Sequence, residues 1–181
     1  MSTGFKEWAL VCEMLGTGKQ SIILRKGGIA EGRAGFRFQH EEFLLFPTLF
    51  HEQVQKMTLP AETPLPAARE DGQIEIRYGA RVQWTSDITD TAIAKRLAPF
   101  HFWQESEIEK RFQYDEKAGI SLAFVRVFRL STPFVFPDSP KFGGCRSWVT
   151  LPDLPAGITT QEVLDAQTSQ AREEQIRKLL H

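Results

Sequence analysis

Between Ile74 and Trp84 the chain alternates strictly. Ile74, Ile76, Tyr78, Ala80, Val82 and Trp84 fall on one side, with Gln73, Glu75, Arg77, Gly79, Arg81 and Gln83 on the other. A period of two is that of a β-strand, so the segment is expected to form a strand with one packed and one wet face. Ser121 to Leu130 is apolar on both faces apart from Arg126 and Arg129, the pattern of a central strand. Shorter strands are expected at Gln20 to Arg25, around Phe36 and Phe38, at Phe43 to Phe46 and at Trp148 to Leu151. Helical periodicity appears at Phe5 to Leu15, where Gly16 follows as a C-terminal stop, and at Thr48 to Met57. It recurs at Asp87 to Ala98, closed by Pro99, and at Gln104 to Phe112. These elements specify an α+β fold: a mixed, mainly antiparallel sheet, short helices on one side and a trailing C-terminal helix.

The 181 residues, 41% of them apolar, supply one domain with a full core. The 22 basic and 23 acidic side chains nearly cancel, so no whole-molecule field draws the chain to nucleic acid or a membrane, and a polyanion would need a local patch. No apolar run is long enough to span a bilayer, and MSTGFKEWAL lacks the pattern of a secretory leader, so a cytoplasmic chain without a membrane partner is expected. Cys12 and Cys145 are accordingly read as reduced and packed.

The domain is expected to occupy residues 1–155, with 156–181 forming the C-terminal helix. Thr159 and Glu162 read as a capping box for a helix from Thr160 to Leu180. Its middle, Gln167 to Gln175, is polar, leaving Val163, Leu164, Ile176, Leu179 and Leu180 to bury. A protein partner or a second copy of the chain would cover such a weak stripe.

Two groups of residues could carry chemistry. From Lys19 to Gln39 there are five basic residues and one acidic, and Gly27-Gly28 can turn backbone N–H groups toward an anion. Arg25, Lys26, Gly27, Gly28, Arg33 and Arg37, joined by Arg77 and Arg81 from the alternating strand, form the candidate anion or nucleic-acid surface. The second group is His40-Glu41 and His51-Glu52, with His101 as a third imidazole. Paired His and carboxylate groups move protons near neutral pH or hold a metal, although their spacing fits no zinc signature and no cofactor is implied. Cys145 has no His near it in sequence and is not assigned as a nucleophile.

Several blocks in this order resemble a known family. They are LRKGGI from Leu24, the His40 to Gln53 stretch with FLLFPTLFHEQ, HFW at His101 to Trp103 before a charged helix, FVRVFRL, and GGCRSWVTL from Gly143. Together they are similar to the bacterial family called domain of unknown function 1802, over roughly Phe5 to Leu151, with the C-terminal helix outside. Some members are found with a restriction-nuclease domain of the Mrr type, so the resemblance implies work near DNA or in defence. Two readings follow. A non-enzymatic nucleic-acid-associated or anion-binding module needs the basic set on one surface. A His- or metal-dependent hydrolase or nuclease-like enzyme needs His40, Glu41, His51, Glu52 and His101 in one cleft. A protein-interaction adaptor acting through the C-terminal helix is a third.

Overall fold

The computed structural model describes residues 2–26, 36–49, 51–67, 71–114 and 118–180. Along the chain run β1 (Ser2–Trp8), α1 (Ala9–Gly16), β2 (Ile22–Arg25), β3 (Glu42–Thr48), β4 (Gln73–Ile88), α2 (Thr91–Arg96) and α3 (Glu105–Phe112). They are followed by β5 (Ile120–Pro137), β6 (Trp148–Leu151), β7 (Thr160–Glu162) and α4 (Ala166–Leu179). The strands form one sheet in the order β2-β5-β4-β3-β1-β6, with β7 beside β5. Among the described residues only β1 and β3 are parallel and the other pairs are antiparallel, so the fold is the expected α+β class with a mixed, mainly antiparallel sheet.

The long β4–β5 ladder runs from Gln73–Pro137 to Ile88–Ile120 and is broken by two register shifts, at Ile76/Tyr78 and Val82/Trp84. These shifts split the strict alternation of the sequence between two cores. Ile76 joins Phe46, Phe128, Phe134, Phe136 and Phe142 in the smaller core, whereas Tyr78 and Ala80 join Phe5, Phe43, Leu122 and Val125 in the larger one. Gly79 permits the closest approach in the sheet: a Cβ there would lie 2.3 Å from the Phe128 ring and 2.9 Å from the Phe43 carbonyl oxygen. Since the backbone oxygen has no room to yield, Gly79→Ala is expected to cost about 1–3 kcal/mol, read as a lower urea midpoint with unchanged m.

Several local expectations are corrected. Ser2–Trp8 is a strand, because ladders with β3 and β6 on both sides outweigh the helical spacing of Phe5 and Trp8; the helix starts only at Ala9. Gly16 is not the left-handed stop. That role falls to Gly18, at φ +71°, while Gly16 makes room for the Tyr78 ring, 2.3 Å from where its Cβ would be. In place of the helix expected at Thr48 to Met57, Thr48 ends β3 and a 3-10 turn forms at Gln53–Lys56, with Leu49 and Val54 exposed. Phe36 is buried outside any strand, its carbonyl accepting from Ser121 Oγ at 3.3 Å. β4 runs on to Ile88, so α2 begins after Asp90, whose carboxylate accepts from Ala92 N–H at 2.8 Å.

The C-terminal region differs most. Thr160–Glu162 pairs with β5, so Glu162 forms ion pairs with Arg81 and Arg126 instead of closing a capping box; Asp165 caps the helix through Thr168 N–H, 2.8 Å away. The polar middle of α4, which suggested an uncovered stripe, is itself the docking surface. Arg172 donates to the Gly18 carbonyl and Ser21 Oγ at 2.7 and 2.9 Å, and Glu173 accepts from Trp84 Nε1 at 2.8 Å. Ile176 is fully buried beside them.

The end strands of the sheet approach each other through side chains. Arg25, on β2, donates to Ser147 Oγ next to β6 at 3.2 Å and stands 3.6 Å from Glu7 Oε2 on β1. The open sheet is thereby rolled, with a polar seam where its two ends meet.

Candidate nucleic-acid interface

The seam gathers charge around β1, whose partner β6 pairs with it only as far as Phe5. Alternation sends Phe5 and Glu7 inward and Lys6 to the opposite face. Glu7 is 1% exposed: Oε1 accepts from Trp8 N–H at 2.8 Å and Oε2 faces Arg25. The Arg111 guanidinium, from α3, lies over the Trp103 and Trp8 rings at 3.8 and 5.2 Å. Burial lowers its pKa to about 10, an effect Glu7 opposes. Above Arg25 stands an aromatic wall. The Phe5 ring is 4.8 Å from Trp148, 5.1 Å from Phe43 and 5.9 Å from Phe38, and His40 meets the Trp148 edge at 4.8 Å.

On the other face of β1, Lys6 Nζ donates to the carbonyls of Phe142 and Gly144 at 2.8 and 2.9 Å. Its pKa is lowered by burial first and then by Arg146, with a smaller contribution from Arg25, while Cys145 and Asp138 act in the opposite direction. Three cations thus crowd the turn before β6. Arg146 and Cys145 are exposed, which for the cysteine corrects the packed position expected from the sequence.

Beyond His40 the wall continues into an open groove of about 340 Å³, lined by Phe38, Gln39, His40, Glu41, Val82, Gln83, Trp84 and Thr85. It exists because the β3–β4 ladder stops at Glu42–Arg81, with one further bond from Val82 N–H to the Glu41 carbonyl at 2.8 Å. The second register shift of β4 falls at this point and places Gln83 on the groove. His40 links groove and seam into one surface.

The profile of the family described as "Domain of unknown function (DUF1802)" matches residues 4–175. The chain belongs to this family. The match extends past Leu151 through β7 and into α4, farther than the sequence blocks suggested. No curated protein matches the chain. Among solved structures it is similar to ASCH from Zymomonas mobilis and to a serine-to-alanine mutant of that protein. Identity is 10% in both cases, with 68% of this chain and 66% of theirs covered and TM-scores of 0.43 and 0.44, so the likeness spans slightly under two thirds of those chains.

In this DUF1802 member the predicted basic set is divided. Arg77 pairs with Glu75, and Arg81 is clamped by Glu42 and Glu162 at 2.6 and 2.7 Å, so the β4–β5 face is largely neutralised. Arg25 lies in the seam, Lys26 Nζ donates to the Gly119 carbonyl at 3.0 Å, and Arg37 is exposed beside the groove residues. Gly27, Gly28 and Arg33 lie outside the described residues. The His-Glu set is also divided: His40 and His51 lie beyond opposite ends of β3, the latter exposed and 3.7 Å from Glu52. Glu41 lines the groove.

His101 is buried, its Nδ1 accepting from Trp103 N–H at 3.1 Å. Burial lowers its pKa to about 4, so the ring is neutral at pH 7 and its remaining nitrogen carries the proton. Among the described residues no three His, Cys, Asp or Glu side chains are grouped to hold a metal, and no helix is long and apolar enough to cross a membrane. Sequence reasoning missed Lys6, Glu7, Arg111 and Arg146. The signal for Glu7 was a charged residue at an inward position, two after Phe5, visible only once the segment is read as a strand.

Proposed function

We propose that this protein is a non-enzymatic nucleic-acid-binding module whose contact surface is the seam and its groove rather than the β4–β5 face. The observation that carries this reading is the crowding of Lys6, Arg25 and Arg146. Burial and then the neighbouring Arg146 charge disfavour the Lys6 cation, and a polyanion relieves this crowding by bringing phosphates to the three side chains, of which Arg25 already faces Glu7. Exposed Arg37 and Arg146 extend the patch to solvent, and Phe38, His40 and Trp148 give it aromatic character, the pairing that nucleic-acid grooves use.

Binding is therefore expected to weaken steeply with salt. Arg37→Ala and Arg146→Ala should each reduce the slope of log K against log salt by about one, whereas Arg77→Ala, already neutralised by Glu75, should leave it unchanged. Titration of a labelled oligonucleotide at several salt concentrations checks this. Absence of binding at low salt, or a larger effect of Arg77→Ala than of Arg146→Ala, would reject the surface.

A further inference from the structure

We infer that the groove between residues 38–41 and 82–85 receives one unpaired base, so that the module reads single strands in preference to duplex. The inference rests on the reading above and adds the form of the nucleic acid. Its first support is size. At about 340 Å³ the groove is at the small-ligand end of binding-site volumes, room for one base with part of its sugar, while a duplex keeps its bases stacked and paired out of reach.

The second support is the lining. The Trp84 ring is already engaged: Phe124 stacks on it at 5.6 Å with a 12° interplanar angle, and the Arg177 guanidinium lies 4.4 Å from the ring. With Nε1 held by Glu173, Trp84 is a fixed wall and not a stacking platform. The platform falls to Phe38 and exposed His40, the latter braced edge-on by Trp148 at 71°. Gln39 and Gln83, both exposed, also line the groove, and the Gln83 amide, which donates to the Arg81 carbonyl at 3.3 Å, keeps a second N–H and its oxygen for a ligand. An amide offers one donor side and one acceptor side, the complement of a base edge whose pairing partner is absent.

The third support is the backbone. A register shift in the long β4–β5 ladder falls beside this groove and aims Gln83 at it, a placement typical of bulges that re-direct a side chain at a functional surface. The backbone phosphates flanking such a base would meet Arg37 at one side and Arg146 beyond Trp148 at the other.

The test compares a fluorescein-labelled single-stranded oligonucleotide with the same strand annealed to its complement, by anisotropy at low salt on the full chain. Single strand is expected to bind at least about tenfold more tightly than duplex, and His40→Ala and Gln83→Ala to weaken single-strand binding by about tenfold each while leaving duplex binding unchanged. Arg37→Ala should weaken both. Duplex bound as tightly as single strand, or single-strand binding unaltered in both groove variants, overturns the inference while leaving the nucleic-acid reading in place. Failure of both probes to bind overturns the two together. Circular dichroism of the variants, whose substituted residues are exposed, confirms that any loss is not one of folding.

Discussion

Stability toward urea should fall by about 3 kcal/mol as pH is lowered from 7 to 4, with His101 as the principal cause above the carboxylate range. In the fold its pKa is about 4, because burial disfavours the imidazolium; in the unfolded chain it returns to 6.5. Between these values the unfolded state binds the extra proton, so the stability present above pH 6.5 drains as pH falls and is exhausted near pH 4. A separation of about two and a half pH units corresponds to about 3 kcal/mol. Asn in place of His101 keeps an acceptor for Trp103 N–H and removes the titration. The variant should therefore show a flat profile between pH 6.5 and 5, where the wild type slopes. Parallel profiles for the two proteins would mean that His101 is hydrated in the native state.

The second large effect concerns charge at the seam. Glu7→Gln preserves shape and the acceptor for Trp8 N–H but removes the negative charge facing Arg25 and Arg111. Breaking a buried pair from one side leaves cations without compensation, so a loss of about 3 kcal/mol or more is expected in urea unfolding. The contrast is Glu42→Gln. Its carboxylate also meets an arginine, at 2.6 Å, yet is 56% exposed, and the loss should stay below about 1 kcal/mol. Equal effects would show that water reaches Glu7. A stable Glu7→Gln variant would also be informative for binding, since the seam would then carry one negative charge fewer.

What could be read in the sequence was what local periodicity determines. The alternation of residues 74–84 and the apolar Ser121 to Leu130 run named the two longest strands, and α3 fell where its amphipathic spacing placed it. Tertiary partners decided the rest. Phe5 and Trp8 carry helical spacing, and only the neighbours β3 and β6 make Ser2–Trp8 a strand. Glu162 makes a capping box with Thr159 on paper but meets Arg81 and Arg126 in space, both distant in sequence. The site followed the same division. The basic excess near Arg25 was legible, but which arginines are neutralised by acids depends on strand register. His40 reached the groove through Trp148, a contact that no spacing rule contains.

Among the described residues Arg25 joins β2 to the β1–β6 end through Ser147 Oγ and Glu7, and this side-chain contact gives the rolled sheet a latch rather than a weld. A strand withdrawn from a ladder forfeits every bond along its length, whereas parting here sacrifices a handful of side-chain contacts and leaves each ladder intact. Amide exchange should accordingly separate two kinds of opening: fast, shallow excursions that admit solvent to Glu7 and the Phe5 wall, and the rare global event that frees the β4–β5 amides. A molecule built this way can expose its most densely charged interior without unfolding.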